Sequence, residues 1–129
     1  MDVYVYEDSV VPTLGPLITA RPACDITIGT ITLYEMLTPL GDVRRLLRSY
    51  LQHYVDRLGT DRIPHWGSVA TSKRSPQKPV EGHVLFVNAR LVPSRANLVT
   101  LKKLIDRKQS GIILAEDTLA AALVEQRNN

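Results

Sequence analysis

The run Val84-Leu85-Phe86-Val87 sets the strongest limit on what this chain can fold into. In an extended segment, neighbouring side chains point to opposite faces, so four large apolar residues in a row need cover on both sides. A strand of that kind sits inside a sheet that is layered by helices. His83 opens the run and Asn88-Ala89-Arg90 forms its exit, with Leu91-Val92-Pro93 as a short continuation. A first strand is predicted over Asp2 to Tyr6, where Val3 and Val5 project to one side and Tyr4 and Tyr6 to the other. Glu7 and Asp8 follow at its carboxyl end. A third strand is predicted over Ile112 to Ala115.

Between the strands, the spacing predicts helices. The longest is expected from Gly41 to Gly59, with Asp42 as cap and Gly59 as terminator. Val43, Leu46, Leu47, Tyr50, Leu51, Tyr54, Val55 and Leu58 recur three and four apart, which leaves Arg44, Arg45 and Arg48 on the wet side. Asn97 is expected to start a second helix through Leu98, Leu101, Leu104 and Ile105. A final one is expected from Thr118 to Gln126, with Asp117 as cap. Residues 9–25 carry Pro12, Gly15, Pro16 and Pro22 and cannot form a long regular element. Ile26 to Leu33 reads as an ordered loop leading into a short helix from Leu33 to about Leu37. Thr32 can cap that helix with Glu35 at its third position. Residues 60–82, broken by Pro64, Gly67, Pro76, Pro79 and Gly82, read as a long loop or lid, since most loops in compact domains hold only ~4–6 residues.

The expectation is one small α/β layered domain over residues 1–129, with strands near 2–6, 84–87 and 112–115. Three strands make a small sheet. One edge is therefore expected to pair with another subunit or to lie under the long loop.

Composition removes several classes. Apolar types at 44% and charged types at 22% suit a folded domain rather than a disordered tail. One cysteine, Cys24, excludes an intramolecular disulfide, a four-cysteine zinc site and a two-cysteine, two-histidine finger. No apolar stretch approaches the ~20 residues that cross a bilayer, and the start carries neither a basic leader nor an apolar signal core. A soluble cytoplasmic protein is expected, with no membrane partner.

Charge is unevenly spread. Residues 1–40 hold five acids and one base, residues 41–110 fourteen bases and five acids, and residues 111–129 one base and three acids, for a total of +3. The basic middle could draw phosphate or nucleic acid. It could equally cover the solvent faces of two helices. An RNP-like aromatic run or a zinc finger would favour nucleic acid, and the sequence has neither. It also lacks a Gly-x-Gly-x-x-Gly fingerprint and a phosphate loop ending in Gly-Lys-Ser/Thr.

One segment is more specific than periodicity: Leu14-Gly-Pro-Leu-Ile-Thr-Ala-Arg21-Pro22-Ala-Cys-Asp25-Ile-Thr-Ile-Gly29-Thr-Ile-Thr32-Leu-Tyr-Glu35. It resembles the opening of the sugar-nucleotidyltransferase-like family related to the GlmU enzymes. There an early strand leads to Leu-Pro-Leu-Thr, then Arg-Pro, an acidic residue, Gly-Ile-Leu-Thr and Glu-Lys-Trp. Arg21-Pro22, Gly29, Thr32 and Glu35 fall where that pattern expects them. Val87-Asn88-Ala89-Arg90-Leu91-Val92-Pro93 and Gly111-Ile-Ile-Leu-Ala115 resemble later parts of it. Met36 and Leu37 depart from the family's lysine and aromatic. Members continue into a longer nucleotidyltransferase domain and a β-helix, so the chain resembles an amino-terminal portion with a Rossmann-like fold.

The resemblance implies nucleotidyl transfer from a nucleoside triphosphate to a sugar phosphate, with release of pyrophosphate. Positioning and charge neutralisation would do most of that work. Mg²⁺ is the implied cofactor if the chain is catalytic. Arg21 and Glu35 are the expected catalytic residues; Gly29, Thr32, Asn88 and Arg90 the expected ligand contacts; Asp8 the candidate metal ligand. Arg21 can grip phosphate oxygens in pairs, or it can pair with Asp25 or Glu35. Gly29 either admits a ligand close to the backbone or merely makes a turn. Asn88 either meets a sugar hydroxyl beyond the strand's carboxyl end or stabilises its own turn. Arg21, Asn88 and Arg90 are expected on one surface. The alternative is a noncatalytic module whose basic middle meets nucleic acid or a protein partner.

Overall fold

A computed structural model describes residues 1–58 and 82–126. A five-stranded mixed sheet runs in the order β4-β1-β5-β7-β6. Its members are β1 (Asp2–Tyr6), β4 (Asp42–Leu46), β5 (Gly82–Asn88), β6 (Gly111–Ala115) and β7 (Thr118–Gln126). β1 lies between β4 and β5 and is parallel to both, with Val5 opposite Arg45 on one side and Val87 on the other. β7 runs antiparallel between β5 and β6. A small hairpin, β2 (Thr27–Ile28) and β3 (Ile31–Thr32), precedes α1 (Leu33–Leu37); α2 (Ser49–Leu58) and α3 (Arg95–Asp106) complete the elements. The architecture is the expected small α/β domain.

Val3, Val5, Leu85, Val87, Ala121 and Leu123 lie in register on one sheet face and are all buried. Leu33 and Leu37 of α1, and Leu101 and Leu104 of α3, join them in one core. Each fully buried aliphatic side chain contributes roughly 1.5–3 kcal/mol. On the opposite face Tyr4 and Phe86 stack with ring centroids 5.5 Å apart. No helix among the described residues is long and apolar enough to cross a membrane.

Three sequence expectations need correction. The helix read from Gly41 is two elements: residues 42–46 form β4, and α2 begins only at Ser49. Gly41 takes φ 159°, and a Cβ there would sit 2.1 Å from the Met1 carbonyl oxygen. The Asp42 N–H bonds that same oxygen at 3.0 Å, so the chain enters β4 beside β1 and Asp42 caps nothing helical. The expected wet arginines are also misplaced, because Arg45 is buried.

The segment from Thr118 to Gln126 is strand, not helix. Ala120, Ala121 and Ala122 favour a helix by propensity, but between β5 and β6 their small side chains fit a crowded sheet interior. Glu116 and Asp117 form the two-residue turn of the β6–β7 hairpin, with Glu116 at φ 54°, so Asp117 caps no helix. Finally, α3 is capped by Ser94, whose Oγ accepts the Asn97 N–H at 3.2 Å, so Asn97 is inside the helix rather than at its start.

The short helix after Thr32 is where it was expected. Thr32 Oγ1 accepts the Glu35 N–H at 3.1 Å, and Glu35 Oε2 accepts the Thr32 N–H at 2.9 Å. The expected long loop lies outside the described residues, except Gly82, which opens β5.

Candidate functional site

β1, β4 and β5 are parallel, so their carboxyl ends share one sheet edge, where open α/β sheets usually hold ligands. Glu7 and Asp8 leave β1 there, and each is tied to one arginine.

The Glu7 side chain is buried, only 1% exposed. Its Oε1 accepts the Ala23 N–H at 2.9 Å, and its Oε2 accepts the Arg48 Nε at 2.8 Å and the Arg48 N–H at 3.2 Å. Arg48 Nη2 then donates to the carbonyls of Ile18 at 2.7 Å and Arg21 at 3.2 Å. Tyr50 Oη donates to the Thr19 carbonyl at 3.1 Å. These bonds fasten the irregular segment that carries Arg21 to the end of β1. The backbone of Arg21 is fixed while its side chain is exposed, and among the described residues no carboxylate pairs with it.

Asp8 holds Arg90. Arg90 Nη2 donates to Asp8 Oδ2 at 2.6 Å, and Nε lies 3.1 Å from both carboxylate oxygens. Asn88 Nδ2 also donates to Asp8 Oδ2 at 2.9 Å, while the Val10 and Val11 N–H groups donate to Oδ1. Partial burial opposes the charged carboxylate, but the bonds from Arg90, Asn88 and Val10 outweigh it and hold the Asp8 pKa at about 2. Asn88 is buried; its Oδ1 accepts the Arg90 N–H at 2.9 Å, forming the turn stabilised by its own side chain. Asn88 Nδ2 and Tyr6 Oη both donate to the Leu119 carbonyl, joining β7 to this edge. Burial pushes the Tyr6 pKa up, which suits a hydroxyl that must keep its proton.

The other expected site residues are held by local structure. Thr32 and Glu35 bond one another in the α1 capping box. Gly29 is the first of two turn residues between β2 and β3, at φ 69°, where an L side chain is disfavoured. Asp25 pairs with Arg45 at 2.9 Å, both side chains nearly inaccessible, and the Arg45 guanidinium lies 3.7 Å from the Tyr34 ring centroid. Met36, at the family's lysine position, is in the core. Cys24 is buried, and burial pushes its thiol pKa far up, away from nucleophilic use.

Asp8 as arranged does not fit a resident metal. Both of its oxygens are filled by donors, an environment shaped for a guanidinium rather than for a cation. Among the described residues no cluster of three His, Cys, Asp or Glu side chains could hold an ion.

The model of one family, described as sugar nucleotidyl transferase, matches residues 3–129. The chain belongs to that family. No curated protein and no solved structure matches it. The family match extends the likeness beyond the segments read above, because it runs through β4, α2 and β7.

Sequence reasoning missed Glu7, Arg48 and the Asp25–Arg45 pair as organisers of this edge. A signal was present in the charge distribution. Asp2, Glu7, Asp8 and Asp25, four of the five acids in residues 1–40, meet Arg44, Arg48, Arg90 and Arg45 from the basic middle.

Proposed function

We propose that this chain binds a nucleotide or sugar phosphate at the carboxyl ends of β1 and β5, as part of a sugar nucleotidyl transferase. Nucleotidyl transfer to a sugar phosphate is the reaction such a site would serve when complete. The observation that carries the reading is the anchoring of two arginine segments to consecutive carboxylates. Glu7, through Arg48, fixes the backbone of Arg21, and Asp8 fixes the side chain of Arg90. A phosphate there would meet an Arg90 guanidinium already held in place and an Arg21 side chain rising from a fixed backbone, which reduces the ordering cost of binding.

In this reading Arg21 and Arg90 contact phosphate, and Asn88 is a positioning residue that sets the turn carrying Arg90. Gly29, Thr32 and Glu35 shape the family-like segment that follows Arg21, the segment that supports a relation to the GlmU enzymes. Any Mg²⁺ would enter with the nucleotide's phosphates rather than occupy Asp8.

Calorimetric titration with a nucleoside triphosphate, and separately with a sugar phosphate, tests the proposal. Arg21→Ala and Arg90→Ala should each weaken binding at least about tenfold, while Lys102→Ala on the exposed face of α3 should not. Arg48 is no suitable control, because it holds the Arg21 segment. Equal, small effects at Arg21, Arg90 and Lys102 in folded variants would remove the site.

A further inference from the structure

The two edges of the sheet differ in how they meet solvent. The β4 edge carries Asp42 and Arg44, charged side chains that discourage pairing with another strand. The β6 edge, Gly111-Ile-Ile-Leu-Ala115, carries no charge, no proline and no lysine. Ile112 and Leu114 are 63% and 57% exposed, the most exposed large aliphatic side chains of any strand described. They project to the same sheet face, because the irregularity between Ile113 and Leu114 places its extra residue, Ala120, on β7 and leaves the alternation of β6 intact.

The flanks of β6 are of opposite sign. Arg107 and Lys108 precede it, Glu116 and Asp117 follow it, and all four are exposed. A second copy laid antiparallel along this edge, centred on Ile113, would put Ile112 opposite Leu114 of the second copy, and the reverse. The same alignment brings each basic flank beside an acidic one, twice. A parallel arrangement would oppose like charges. The edge is therefore complementary to itself in one orientation, as a two-fold interface requires.

We infer that β6 pairs antiparallel with β6 of a second copy of this chain, joining two five-stranded sheets into one of ten. A five-residue strand pair is a small interface, so dissociation in the micromolar range is expected.

Sedimentation velocity on the full chain, from low to high micromolar concentration, tests the inference. Wild type should move from monomer to dimer. The double variant Ile112→Lys/Leu114→Lys should stay monomeric, with unchanged circular dichroism and melting temperature. Two charge reversals then test the orientation. Arg107→Glu/Lys108→Glu and Glu116→Lys/Asp117→Lys should each weaken self-association at least about tenfold, and the two mixed together should form a heterodimer. A wild type that is monomeric throughout would overturn the inference. So would a dimer indifferent to the lysine substitutions, or charge variants that fail to complement one another.

Discussion

The parallel half of the sheet and its antiparallel half are built from different chemistry. Around β4, β1 and β5, arginines reach carboxylates: Asp2–Arg44, Glu7–Arg48, Asp8–Arg90 and Asp25–Arg45. In β7 and β6 alanines and leucines fill the space. The first half carries its pairing instructions as charge, with acids in residues 1–40 and their arginines in residues 41–110. The second half relies on fit. Four arginines of the basic middle are thus compensated within the fold, which weakens the case that this segment exists to attract nucleic acid.

The largest effect should come from breaking the most buried pair. Asp25→Ala leaves Arg45 charged and enclosed, and urea unfolding should show a loss of about 3–5 kcal/mol. Asp25→Leu with Arg45→Met should recover much of that loss, because no buried charge is left alone. A double variant as unstable as the single one would show that this pair does not distinguish the parallel half. In the other half, Leu123→Ala should cost about 2–5 kcal/mol, and the cost should not depend on salt. A loss below about 1 kcal/mol in the same unfolding measurement would mean that β7 does not anchor the core.

The smallest effect concerns acid. Asp8 has a folded pKa of about 2, against an ordinary value of 3.8. Its contribution to stability is fully present above the unfolded value and is lost as pH falls through the folded one. Between about pH 4 and pH 2, wild type should therefore lose stability more steeply than Asp8→Asn, read as melting temperature against pH. Parallel curves for the two proteins would show that the Arg90 contact is too solvated to matter.

These contrasts also explain what could be read from the residues. β1, β5 and β6 were legible because their side chains declare burial by alternation or by continuous apolar runs. The α1 cap was legible because Thr32 and Glu35 act within one turn. β4 was not, since the apolar spacing of its Val43 and Leu46 runs unbroken into α2, and only the distant Asp25 explains why Arg45 faces inward. β7 was hidden by its alanines, and its hairpin turn uses Glu116-Asp117 rather than the Asn-Gly or Asp-Gly that would announce it. At the candidate site, Asp8, Asn88 and Arg90 stood out as strand exits. Arg48 did not, because one long helix would have left it in solvent.

The position of β1 between β4 and β5 has a consequence for biosynthesis. This strand leaves the ribosome before either of its neighbours in the sheet, and Val87 lies about eighty residues after Val5. At roughly 5–20 residues per second, translation leaves that edge of β1 open for on the order of 4 to 16 seconds. β4 emerges about halfway through the interval and can cover only the opposite edge. Tyr4 and Val5 thus spend seconds as an exposed apolar strand, and a nascent chain of this protein is a natural client for a chaperone until β5 is made.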